Sequence, residues 1–163
     1  MKSITVDATL ENLEKVQSFI EQELEASGCP VKAMMQISMA AEEIYVNIAH
    51  YAYKPGIGKA TIICSVEGNP LQVILEFLDN GRPFDPLAVS EADTTLPAGE
   101  RKIGGLGILL VKKSMDQISY AYKGGQNILT LKKTNLTGAK KRQSMIRKNR
   151  RFKIVSIIIV TGV

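Results

Sequence analysis

Three short clusters in this chain combine residue types that could do chemistry. Glu43 and Asn47 stand four apart, so on a helix they share one face, which His50 and Lys54 extend. A carboxylate beside an amide at the edge of a core can polarise a water or hydroxyl and offer oxygen to Mg²⁺. That ion commonly takes only one or two ligands from protein. Asp79 directly follows an apolar run and opens the segment Asp79-Asn80-Gly81-Arg82-Pro83-Phe84-Asp85-Pro86. A carboxylate there can accept a hydrogen bond from an exocyclic amine such as that of adenine, and Gly81, lacking a Cβ, lets backbone approach a flat base. Gly104-Gly105-Leu106-Gly107-Ile108 opens an apolar helical stretch. Glycines at a helix start expose N–H groups, and the helix dipole favours an anion such as phosphate. Taken singly, each cluster has a plainer reading: a solvated helix face, a turn built on Asn-Gly and Asp-Pro, a tight loop-to-helix entry. The glycine spacing is neither a Walker A loop nor a dinucleotide fingerprint.

The elements that must position these clusters follow from periodicity. Residues 3–9 alternate as a short strand. Leu10, Leu13, Val16, Ile20 and Leu24 recur at helical spacing, and Gly28 with Pro30 ends that helix. A second helix is predicted over about residues 31–53, with Met34, Ile37, Ala41, Ile44, Ile48 and Tyr51 as its stripe and Pro55-Gly56 as its end. Glu43 and Asn47 lie about 100° off that stripe. Strands at Ala60–Val66 and Leu71–Leu78 are joined by a hairpin turn at residues 67–70, and strands at Ile118–Tyr122 and Asn127–Lys133 by one at Gly124-Gly125. Between them, residues 85–103 are polar and aperiodic, a loop long enough to be a lid. Adjacent hairpins argue against a doubly wound parallel sheet. They predict an α+β two-layer α/β sandwich: a mixed, mostly antiparallel sheet covered on one face by about three helices.

Bulk properties exclude other classes. The chain has 163 residues, 45% apolar and 23% charged, which rules out wholesale disorder, collagen and coiled coil. No apolar run reaches the roughly 18 residues of a membrane-spanning helix, and MKSITVDATLENLEK lacks the apolar core of a secretory signal. Cys29 and Cys64 form no CxxC pattern and read as buried, reduced thiols of a cytoplasmic protein. A single His excludes metal sites built on several. The net charge of +5 is uneven: residues 138–163 hold eight of the 21 Lys and Arg and no acid, leaving 13 basic against 16 acidic residues elsewhere, a net of −3. The body is therefore not expected to bind nucleic acid. A basic tail with the apolar run Ile154–Val160 could bind nucleic acid or an anionic surface, or be a lineage-specific extension or sequence not native to the domain.

The order of the clusters (E-x-x-x-N on a helix, D-x-G-x-x-F-D after a strand, a polar lid, then G-G-L-G-I opening a helix) resembles the GHKL (Bergerat-fold) ATPases, the group of gyrase and the histidine kinases. Within it, the closest resemblance is to stand-alone bacterial anti-sigma-factor serine/threonine-protein kinases. Glu43 to Asn47, with Ala52-Tyr53, matches that family's N box; Asp79 to Pro86 matches its adenine box; Gly104 to Val111, followed by Met115-Asp116, matches its glycine box. The resemblance implies a histidine-kinase-like ATPase domain over residues 1–135 and a basic, apolar tail over 136–163. It implies ATP and Mg²⁺ as cofactors, with Glu43 as general base and Asn47 as the Mg²⁺ ligand. Asp79, Gly81 and Phe84 would lie at the adenine. Gly104, Gly105, Leu106 and Gly107 would lie at the phosphates, with Arg101 or Lys102 reaching the γ-phosphate from the lid. Tyr51 departs from the pattern, standing where close relatives often have His. The implied partners are a sigma factor, an anti-sigma-factor antagonist and, as in many relatives, a second copy in a homodimer. The alternative is an ATP-regulated binding module without phosphotransfer.

Overall fold

The computed structural model describes residues 1–88 and 105–136. Strand β1 (Lys2–Asp7) leads through a 3₁₀ turn at Leu10–Asn12 into α1 (Leu13–Ala26), then α2 (Val31–Asn47) and a π-helical turn at Ile48–Ala52. Strands β2 (Lys59–Glu67) and β3 (Leu71–Asp79), helix α3 (Gly105–Ser114), β4 (Gln117–Lys123) and β5 (Gln126–Leu136) complete the described elements. Among the described residues the sheet has five strands in the order β1-β2-β3-β5-β4, and every pairing there is antiparallel. Both predicted hairpins are present. Gly124 and Gly125 turn the second with φ of 59° and 80°, the geometry of a two-residue hairpin loop that side chains other than Gly, Asn and Asp resist.

One face of the sheet holds the core. Ala60, Ile62 and Cys64 of β2, Val73, Leu75 and Phe77 of β3, and Leu129 and Leu131 of β5 are buried beneath Val16, Ile20 and Leu24 of α1 and Ile37, Ala41 and Ile44 of α2. Each fully buried Leu, Ile or Phe there stabilises the fold by roughly 1.5–3 kcal/mol. Helix α1 ends in a Schellman motif: Gly28 has φ 70°, its N–H donates to Glu25 O, and Cys29 N donates to Leu24 O. Cys29 and Cys64 are free and buried, and burial pushes the Cys64 thiol up to about 11.

Helix 2 departs from its predicted course. Regular α-helix stops at Asn47, and a π turn occupies Ile48–Ala52. π turns of this kind occur mostly as single turns, often at functional sites. The four-residue spacing that joins Glu43 to Asn47 therefore does not carry on to His50 and Lys54. The His50 ring instead meets Tyr51 edge-on, centroids 5.7 Å apart, and Lys54 Nζ lies 5.2 Å from the Tyr51 centroid.

Candidate functional site

The alternation of β3 sets the first half of the site. Val73, Leu75 and Phe77 point into the core, so Asp79, two residues on, is also an inward position. Asp79 is 5% exposed. Its Oδ1 accepts from Gly81 N at 2.9 Å and from Asn127 Nδ2 at 2.8 Å. Asn127 is directly opposite in the sheet register and is likewise buried. Its amide also donates to Arg82 O at 3.1 Å, while its Oδ1 accepts from Tyr120 Oη at 2.7 Å and Phe84 N at 3.3 Å. One buried side chain thus fixes the carboxylate and the loop that follows it. Phe84 joins this network through its backbone, with its ring largely exposed.

The π turn clamps the same loop from the other side. Arg82 N donates to Ala52 O at 2.9 Å. The Tyr53 hydroxyl uses both its capacities, donating to Lys59 O at 2.6 Å and accepting from Asn80 N at 2.7 Å. Burial of the phenol pushes its pKa up, so it remains a donor. A Cβ on Gly81 would lie 2.7 Å from the Ala52 carbonyl carbon. The room that glycine leaves at this position is filled by protein backbone.

The second half of the site joins α2 to α3. Glu43 and Asn47 lie one turn apart on α2, both partly buried. Helix α3 opens at Gly105 and packs against α2. A Cβ on Gly107 would overlap the Glu43 carboxylate, with Cδ at 2.9 Å. The carboxylate of the first cluster therefore rests against the glycine-led end of α3, and Glu43 and Gly107, 64 positions apart in sequence, meet. Among the described residues no hydrogen bond ties down the Glu43 or Asn47 side chains. Arg101, Lys102 and Gly104, the Leu106 side chain, lid residues 89–103 and the tail from 137 onward lie outside what the structure describes.

The parts played by two site residues escape a reading of the sequence. Asn127 opens the predicted last strand, and alternation with Leu129 and Leu131 places it on the core side of β5, but its bond to Asp79 comes from the pairing of β3 with β5. Tyr53 sits in the N-box pattern, but its contacts to residues 59 and 80 depend on tertiary packing.

A family model described as Histidine kinase-like ATPase domain matches residues 6–133. The chain is 30% identical over 95 residues to Serine/threonine-protein kinase BtrW of Bordetella bronchiseptica, covering 58% of this chain and 66% of that protein. It is 29% identical over 100 residues to Serine-protein kinase RsbW of Bacillus cereus, covering 59% and 61%. The chain thus spans just under two thirds of the length of these curated relatives. Among solved structures, the RsbU and RsbW domains from Mycobacterium tuberculosis match with a TM-score of 0.59 at 15% identity, over 85% of this chain and 34% of that one. The SiaB-SiaC complex from Pseudomonas aeruginosa matches at 0.52 and 18%, over 82% and 89%. At such identity these two structures speak to the fold alone. No helix among the described residues is long and apolar enough to cross a membrane.

Proposed function

The chain belongs to the histidine kinase-like ATPase domain family, and on that premise we propose that it is an ATP-binding anti-sigma factor and serine/threonine-protein kinase. It phosphorylates an anti-sigma-factor antagonist protein, sequesters a sigma factor, and works in the cytoplasm, alone or as a homodimer. The observation that carries the kinase half is the seating of the Glu43 carboxylate against Gly107 at the head of α3. A nucleotide holder needs a buried acceptor for the base and N–H groups for the phosphates; it has no need of a carboxylate at the phosphate end. A kinase does, to take the proton of the attacking hydroxyl.

The residues present fit ATP and Mg²⁺. The buried Asp79 carboxylate, braced by Asn127, is an acceptor suited to the adenine amine, and the opening of α3 suits phosphate. Among the described residues no cluster of three or more His, Cys, Asp or Glu could hold a metal ion. An ion at Asn47 would thus take most of its oxygens from phosphate and water, as Mg²⁺ commonly does. ATP, when bound, supplies the phosphoryl group and Mg²⁺ neutralises its charge. Asp79 orients the base, Asn47 holds the ion, and Glu43 accepts the serine proton. Gly105 and Gly107, and by resemblance Gly104 and Leu106, would serve the phosphates. Arg101 or Lys102 supplies a cation where charge develops.

The test is transfer of labelled γ-phosphate to an antagonist protein from the same organism, with Glu43→Gln beside the wild type. A fall of about 10²–10⁴-fold in rate, with ATP still bound, is expected. Stoichiometric capture of the partner without transfer by the wild type would instead establish the ATP-regulated binding module.

A further inference from the structure

The outer seam between α1 and α2 carries a second surface. Val31, Met35 and Met39 follow one another at four-residue spacing on α2, and all three are exposed, Met35 to 67%. Met35 and Met39, with Met34, border a groove of about 450 Å³ against α1. Large exposed apolar side chains grouped on one helix face mark contact surfaces more often than chance, and methionine, flexible and polarisable, suits surfaces that adapt to a partner.

The groove's polar lining is one-sided. Glu21 and Glu42 supply carboxylates, and no lining residue is a cation. Gln17 crosses the seam, its Nε2 donating to Ser38 O at 3.2 Å and to Glu42 Oε2 at 3.4 Å. That leaves Gln17 Oε1 and Ser38 Oγ buried with no hydrogen-bond partner among the described residues. Native interiors leave few such atoms. Both atoms lie beneath the surface of the seam, out of reach of a docked partner. The groove thus offers thioethers and carboxylates; what complements it is apolar side chains flanked by cations.

We propose that this groove docks a helix of a protein partner, one whose apolar side chains at helical spacing are flanked by Lys or Arg. The mode is an amphipathic helix laid into a groove, with apolar anchors supplying affinity and rim charges supplying steering and orientation. A second copy docked groove to groove brings no cation to meet Glu21 and Glu42, since the lining holds none. The inference rests on the partner-holding half of the reading above and is independent of phosphotransfer.

The test uses the full chain and a labelled synthetic helical peptide with leucines at helical spacing and lysines beside them. A control peptide carries glutamates in place of the lysines. Fluorescence anisotropy is expected to show binding of the lysine peptide alone, weakening as salt rises. Met35→Glu and Glu21→Lys, both at exposed positions, are each expected to weaken it about tenfold or more while leaving the thermal shift with Mg·ATP unchanged. No binding, or equal binding to both variants, overturns the proposal. So does binding that appears only in a full-length variant with the Lys and Arg of 138–163 replaced by Gln, since the chain's own tail would then be the occupant. Conversion of a dimer to a monomer by Met35→Glu assigns the groove to a second copy and overturns it as well. A chain that binds the peptide but transfers no phosphate refutes the kinase reading alone.

Discussion

Gly81 and Gly107 stand at opposite ends of the proposed nucleotide site, and each lacks a side chain for a different reason. Beyond Gly81 lies the Ala52 backbone, itself fixed by the hydrogen bond from Arg82 N. Beyond Gly107 lies the Glu43 carboxylate, the far end of a flexible side chain. The base end is thus part of the fold: Asp79, Asn127, the π turn and Tyr53 lock one another. At the phosphate end no hydrogen bond among the described residues holds the Glu43 carboxylate, which on the proposed reading leaves it free to meet a proton and release it. On that reading, specificity lies where the protein is stiff and chemistry where a side chain is free to move.

The contrast is sharpest in the two Gly→Ala variants. Gly107→Ala displaces Glu43 while leaving the backbone in place, so phosphotransfer is expected to fall about 100-fold with thermal stability unchanged. A proportionate loss of stability would mean that Gly107 is there for packing. Gly81→Ala pushes on backbone that cannot yield. It is expected to cost roughly 1–3 kcal/mol of stability in denaturant titration and to weaken nucleotide binding with it.

Tyr53→Phe probes the clamp more gently. It strips the donor from Lys59 O and the acceptor from Asn80 N, for about 1 kcal/mol of stability. Because it loosens the loop after Asp79, the ratio of ATP to GTP affinity is expected to narrow. Unchanged discrimination would confine Tyr53 to folding.

The smallest effect lies outside the site. Asp116 Oδ2 accepts from Thr134 N at 2.7 Å and Thr134 Oγ1 at 3.0 Å, and these bonds, with Lys133 nearby, lower its pKa. A lowered folded pKa gives stability that is present above the unfolded value and lost as pH falls through the folded one. Asp116→Asn is therefore expected to be slightly less stable at neutral pH, with the gap closing in acid. The side chain is 42% exposed, so solvent screening keeps the effect small.

Much of this was legible in the sequence. The stripes Val16-Ile20-Leu24 and Ile37-Ala41-Ile44 gave α1 and α2, the alternation through Leu75 and Phe77 gave β3, and the Gly-Gly turn gave the last hairpin. All of these are local patterns. The π turn was not legible, because it is stabilised by a hydrogen bond from Arg82, 30 residues on. Nor was the packing of Gly81 against the Ala52 backbone, a contact that no neighbour in sequence announces. Asn127 lay between the two cases: the parity of Leu129 and Leu131 shows its side of the strand, but only the pairing of Asp79 with Asn127 shows what it holds.

The central claim is that Asp79 reads the base of a bound nucleotide. Thermal unfolding with and without Mg·ATP, on the wild type and Asp79→Asn, tests it most directly. The substitution keeps an oxygen for Gly81 N and Asn127 Nδ2 but turns the other acceptor into a donor that repels the adenine amine. At a hundredfold excess over Kd, ATP is predicted to stabilise the wild type by roughly 2.7 kcal/mol and to leave Asp79→Asn unshifted. Equal shifts in both proteins, or none in either, would contradict the claim.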